Sequence, residues 1–159
     1  VIANGSGRIN LGHTFAGYSL GAAAMLECQK ISQTESMLSH INSMGSLIIS
    51  LIDSELRDHE FYRETRGRGL NCAFEYACEN VHGFSLTLQR LMLSRHQILI
   101  NSKWHRTTFT PAFIVQPKDV ETIISIYTSL FKEIAKNWNG EIDPCLSTTR
   151  SMGGVKPGA

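Results

Sequence analysis

Apolar residues recur at helical spacing in two long stretches of the chain and alternate at strand spacing in a third. From Thr34 to Arg57, the residues Met37, Leu38, Ile41, Met44, Ile48, Leu51, Ile52 and Leu56 share one helical face. Thr34 stands where a helix cap belongs, with Glu35 and Ser36 in the first turn. A second amphipathic helix is expected from Pro117 to about Trp138, with proline in its first turn, Asp119 and Glu121 near its positive end, and a stripe of Val120, Ile123, Ile124, Tyr127, Leu130, Phe131 and Ile134. The alanine-rich run from Ser19 to about Ile31 is made of good helix formers, and LTLQRLML predicts a further helix over about 85–94.

Between the helices the period changes to two. In FYRETRGRGLNCAFEYAC, the residues Leu70, Cys72, Phe74 and Tyr76 fall on one side of a half-buried strand, with Gly67 and Gly69 forming a turn or bulge before it. QILIN reads as a short strand and RTTFTPAFIV as another, stopped at Pro111. The order helix, helix, strand, helix, strands, helix predicts an α+β fold in which helices cover a small, mainly antiparallel sheet. Residues 139–159, poor in large apolar side chains and rich in Gly, Pro, Ser and Thr, read as a mobile tail.

Composition narrows the classes. With 159 residues, 42% apolar, the chain can bury one core. The formal charge of +1, from 15 basic and 14 acidic residues, offers no broad footprint for nucleic acid or an anionic membrane. No apolar run approaches the roughly 20 residues that span a bilayer, and the first residues lack the pattern of a signal peptide, so a cytoplasmic setting is expected. Cys28, Cys72, Cys78 and Cys145 form no CxxC pair and read as reduced, buried thiols without chemistry. No second ligand stands at metal spacing from any histidine. The start at Val1, with a loop-like VIANGSGRIN, fits the back half of a longer chain.

Three sites have candidate chemistry. Thr14 lies in a glycine-flanked turn directly before a helix, where free backbone amides and the helix dipole suit a phosphate; capping the turn is the alternative. Arg106 begins a strand, and its planar guanidinium matches a carboxylate; the alternative is a solvent-facing residue in the basic run from Lys103 to Arg106. Arg66 and Arg68, in TRGRGL, read as structural, pairing with a carboxylate or a carbonyl beside a glycine turn.

The stretches GSGRINLGHTFAGYSLGAAAMLECQKI, YRETRGRGLNCAFEY and FTPAFIVQPKDVETIISIYTSLFKEI resemble, in order and approximate spacing, the C-terminal part of the class III pyridoxal phosphate-dependent aminotransferases, a group that includes omega-amino acid and glutamate-1-semialdehyde aminomutase-like enzymes. That part reads GHTYSGHPLACAAALA, then VRGRGLMLGIE, then RxxPPLxIT before a closing helix. The resemblance runs from Gly5 to about Trp138, and departs at Ala16, Gly17, Tyr18 and Ser19 and at Pro111-Ala112, where the family has SGHP and Pro-Pro.

The resemblance implies the small C-terminal domain of a fold-type I transferase over 19–138, preceded by a segment, 1–18, from the large-domain side. It implies that Thr14 binds the cofactor phosphate across a homodimer interface with shared active sites, that His13 packs near the cofactor, and that Arg106, two residues before the family's usual position at Thr108, meets a substrate carboxylate. The implied reaction moves an amino group from an amino donor to a keto acceptor with pyridoxal 5'-phosphate. The family's Schiff-base lysine precedes the GHT turn by a few tens of residues, and none of the 13 residues before Thr14 is lysine, so the chain alone is expected to be inactive. The alternative is a stand-alone, non-catalytic dimerisation or interaction module with the same fold.

Overall fold

The computed structural model describes residues 12, 14–34 and 36–141. The chain forms two compact units, residues 1–37 and 38–159. His13, Cys145 and the expected tail beyond 141 lie outside the described residues.

In the first unit a turn over residues 14–17 leads into α1 (Ser19–Thr34). Gly17 takes a φ of 78°, which lets the chain reverse before the helix, and the Tyr18 amide donates to the Phe15 carbonyl at 3.1 Å. The helix runs three residues past the expected Ile31. Its apolar residues Leu20, Met25 and Leu26 are exposed, and Cys28 is exposed where a buried thiol was expected.

The second helix, α2 (Met37–Leu56), starts later than its apolar stripe suggested. Ser36 has a left-handed φ of 49°, which breaks the helical path, so Thr34 ends α1 and does not begin α2. Leu38, on the expected stripe, is 72% exposed in the first turn, whereas Met44, Ile48, Ile52 and Leu56 are buried.

The rest of the second unit follows in the order β1 (Tyr62–Arg68), β2 (Asn71–Tyr76), α3 (Val81–His96), β3 (Asn101–Lys103), β4 (Arg106–Phe109) and α4 (Pro117–Lys136). The strands form one sheet in the order β1-β2-β4-β3, with every pairing antiparallel. β1 is an addition to the expected set: the turn falls at Gly69 and Leu70, after Gly67 and not at it. β3 is displaced from QILIN, because Gln97 closes α3 in a left-handed conformation and Ile98 to Ile100 form a connection that packs on the core.

Cys72, Phe74 and Tyr76 of β2 and Thr107 and Phe109 of β4 form the buried face of the sheet. An aromatic cluster joins it to the helices: Phe74 meets Tyr127 and Phe131 of α4, Tyr76 meets Phe84 of α3, and Phe109 meets Tyr127 edge-on at 4.9 Å. On α2, Gly45 touches the β1–β2 turn so closely that an added Cβ would stand 2.0 Å from the Gly69 carbonyl oxygen, and Gly69 itself has a φ of 54°. Trp138, after α4, donates its indole N–H to the Glu79 carbonyl at 2.6 Å, which ties that segment to the start of α3.

Candidate functional site

Thr14 lies exposed in the turn over residues 14–17. The α1 helix follows, and the Ala22 amide, donating to the Tyr18 carbonyl at 3.1 Å, makes its first turn's bond. Amides before Ala22 lack carbonyls one turn earlier in the helix, as at any helix start, and point toward the turn. A hydroxyl and free amides of this kind suit a phosphate group.

The second group of residues lies on the open face of the sheet. Register places Glu64, Arg66 and Arg68 of β1, Ala73 and Glu75 of β2, Arg106 and Thr108 of β4, and Asn101 and Lys103 of β3 on the side away from the helices. Arg66 bridges Glu64 and Glu75, and these two carboxylates hold its guanidinium in the charged form. The structural reading of Arg66 thus corresponds to a cross-strand ion pair. His105 also reaches Glu75, at 3.6 Å. Arg106, whose neighbours across the strands are Glu75 and Lys103, has no ion-pair partner among the described residues. Its side chain is exposed and shares a face with Thr108, as strand alternation requires.

What fixes Arg106 is the turn before it. Trp104 has a φ of 58°, an uncommon conformation for a bulky residue. The turn is held by the Tyr76 amide donating to the His105 carbonyl at 2.9 Å, by the Ser85 hydroxyl donating to the Trp104 carbonyl, and by the His82 ring lying 5.5 Å from the indole.

The Ser85 bond sets the direction of a buried chain of hydroxyls. A carbonyl only accepts, so Ser85 uses its single proton on Trp104 and must accept from Tyr76, 2.6 Å away. Tyr76 then accepts from Ser102 at 2.7 Å, Ser102 from Thr107 at 3.0 Å, and Thr107 from Tyr127 at 2.9 Å. Five hydroxyls from α4, both hairpin strands, β2 and α3 thus donate in one direction and end at the turn that carries Arg106. Burial pushes both tyrosines up, Tyr127 well above the ordinary tyrosine value, which keeps these donors protonated. Sequence spacing gave no signal for this support, because its members come from five separate elements.

The structure therefore resolves Thr14 and Arg106 in separate compact units and leaves His13 undescribed. No described helix is long and apolar enough to cross a membrane.

A comparison with known protein families gave no match. Individual proteins did match. The chain is 31% identical over 78 residues to an aminotransferase of Gibberella zeae, covering 49% of this chain and 15% of that protein. It is 30% identical over 78 residues to the ornithine aminotransferase of Plasmodium falciparum, covering 49% and 19%. Among solved structures, a transaminase from an ancestral-reconstruction study has a TM-score of 0.73 at 16% identity over 85% of this chain and 32% of that one. An omega transaminase from Pseudomonas jessenii has a TM-score of 0.68 at 23% identity over 87% and 32%. The chain spans less than a fifth of the first of these curated relatives and about a third of the solved chains. In sequence the chain is thus similar to the aminotransferases, and its fold is that of the small C-terminal domain of the fold-type I pyridoxal phosphate-dependent transaminases.

Proposed function

We propose that this chain is the small domain of a class III aminotransferase, which moves an amino group from an amino donor to a keto acceptor as a cytoplasmic homodimer. The observation that carries the reading is the coincidence of two independent likenesses: a sequence match of about 30% to aminotransferases and a fold match over 85% of the chain to a transaminase.

The residues present fit one end of pyridoxal phosphate. The exposed Thr14 hydroxyl would donate to a phosphate oxygen, with the amides at the start of α1 facing the same anion. When bound, the cofactor supplies the electron sink that lets an amino group leave one carbon and join another. Arg106, exposed, without an acid partner and held by its pinned turn, would orient a substrate through its carboxylate. No lysine precedes Thr14 in this sequence, so these residues supply phosphate and carboxylate contacts and not the proton-shuttling amine.

The test is to express the complete coding region, load the protein with pyridoxal phosphate and supply paired amino donors and keto acids, including ornithine, alanine and simple omega-amines, with 2-oxoglutarate or pyruvate. Amino transfer in the complete protein, absent from the 159-residue chain alone, is the expected result. No transfer with any pair, together with a stable chain that self-associates without cofactor, would replace this reading by the non-catalytic interaction module.

A further inference from the structure

β1 lies at the outer edge of the sheet, with β2 as its single strand partner. It runs seven residues, and Arg63, Glu64, Arg66, Gly67 and Arg68 are exposed. The β1–β2 turn fixes which backbone groups stay free at that edge. Arg68 and Asn71 close a two-residue loop, and in such a hairpin the closing pair exchanges both of its hydrogen bonds. Bonded positions alternate from there, so Arg68, Arg66 and Glu64 spend their N–H and C=O groups on β2, whereas Gly67 and Thr65 turn theirs outward. Among the described residues, no other element reaches the backbone of Thr65 or Gly67. Such an edge is a template for another strand unless something deters pairing.

Charge is the usual deterrent, and here its order along the strand is self-complementary. When two copies of β1 run antiparallel about Thr65, Thr65 faces its own copy and Glu64 faces Arg66 on either side of the axis. Opposite charges directly across a ladder attract, and like charges repel. Centring the pair on Glu64 sets Glu64 against Glu64, and centring it on Arg66 sets Arg66 against Arg66, so the charges select one register and reject its neighbours.

The side chains are free to make this pairing. Glu64 and Arg66 lie on the open face and are 55% and 50% exposed. Arg66 bridges Glu64 and Glu75 in its own chain, and a guanidinium with five donors has others to give. The two acids Glu64 and Glu75 balance the two bases Arg66 and Arg68 on this face, so a second copy approaches without net repulsion. Gly67, with no side chain, leaves room for Arg63 of the other copy. The bulge between Tyr62 and Glu64 ends the regular stretch and keeps the ladder short.

We propose that β1 is a homotypic docking edge, which pairs antiparallel with β1 of a second copy about a two-fold axis at Thr65 and joins two four-stranded sheets into one. The outward N–H and C=O groups of Thr65 exchange bonds across the axis, and Glu64 of each copy meets Arg66 of the other. The contact is isologous, so it closes after one pair. It goes beyond the aminotransferase reading: a dimer formed through another surface of the complete protein is doubled by it.

Sedimentation of the complete protein over about a hundredfold range of concentration is the test. The mean mass is expected to double between the lowest and highest concentrations. Thr65→Pro removes an outward N–H from an edge strand, where proline is tolerated, and should abolish the doubling. Glu64→Arg and Arg66→Glu each set like charges across the ladder and should each weaken association by at least about tenfold. An equimolar mixture of those two variants places Arg opposite Glu at both positions and should recover it. Thermal unfolding checks the fold of each variant, and if Thr65→Pro is unfolded the mixture decides. A mass that neither rises with concentration nor falls in Thr65→Pro, a doubling that persists in folded Thr65→Pro, or a mixture no heavier than its separate components each overturns the proposal. Amino transfer by the same preparations tests the preceding reading separately, because Glu64, Thr65 and Arg66 belong to neither of its proposed contact sites.

Discussion

Tyr127 of α4 donates its hydroxyl proton to Thr107 of β4 across 2.9 Å, and so enters a chain whose direction is fixed at its other end by Ser85 and the Trp104 carbonyl. The two ends of this chain are unequal. Tyr127→Phe removes the first donor and leaves every other hydroxyl with a partner for its proton, at a cost of about 1 kcal/mol. Thr107→Val orphans the buried Tyr127 proton and leaves Ser102 with no donor, at a cost of about 2–3 kcal/mol. Urea unfolding of both variants measures the order, and an equal loss would mean that the chain does not run in this direction.

Gly45 and Gly69 meet backbone to backbone. Gly45→Ala places a methyl group 2.0 Å from a carbonyl oxygen that belongs to a tight turn, so either α2 or the β1–β2 turn must move. Destabilisation of about 3 kcal/mol or more is expected. Gly69→Ala meets the Ile41 Cγ2 methyl, held by the stiff χ1 of a β-branched helical residue, and a left-handed φ, and should cost about 1–2 kcal/mol. Thermal unfolding of the pair gives the comparison.

His59 accepts the Phe61 amide on Nδ1 at 3.1 Å, with the rings of Phe61 and Phe131 against its own. Burial lowers its pKa below the usual histidine value, outweighing nearby Glu60. A group depressed in the folded state binds protons more readily when unfolded, so its contribution is complete above about pH 6.5 and is lost as the pH falls toward the lower folded value. Protonation also removes the acceptor from Phe61. The urea midpoint should therefore fall between pH 7.5 and 5, and His59→Asn, which keeps an acceptor and does not titrate, should flatten that slope. An unchanged slope in the variant assigns the effect elsewhere.

Thr14→Val in the complete protein should weaken pyridoxal phosphate retention by about 1.5–3 kcal/mol, the worth of a hydrogen bond to a charged acceptor, or tenfold and more in Kd. Reconstitution of apoprotein with increasing cofactor measures it, and an unchanged Kd would remove Thr14 from the phosphate site.

Arg106→Ala should raise KM for carboxylate-bearing amino donors about tenfold more than for simple amines. Steady-state kinetics with the two donor classes decides it. An equal change in both would leave Arg106 as a solvent-facing strand residue.

Much of this architecture can be read from residue order. α4 was legible because proline, acid and a long apolar stripe agree with one another, and β2 because Cys72, Phe74 and Tyr76 alternate against one buried face. β1 was not, because a strand at the sheet edge with exposed arginines and glutamate has no apolar alternation to reveal it. The break between α1 and α2 carries neither glycine nor proline, and a serine at positive φ leaves no mark in the pattern. Ile98 and Ile100 imitated a strand because their burial comes from packing beneath a hairpin and not from the ladder. Thr14 and Arg106 were visible from residue type and neighbours, while Ser85, Ser102 and Thr107 acquire their meaning only once the topology brings them together.

The sharing of Arg66 between Glu64 and Glu75 has an effect at the far side of the sheet. It consumes both carboxylates of the open face near β1 and leaves Lys103 and Arg106 uncompensated at the β3–β4 end. The face is therefore polarised, nearly neutral at one edge and positive at the other. An approaching anion is drawn along that gradient before any contact forms, so its capture rate, more than its final affinity, should depend on ionic strength, with the pull fading beyond about 10 Å at 0.1 M salt.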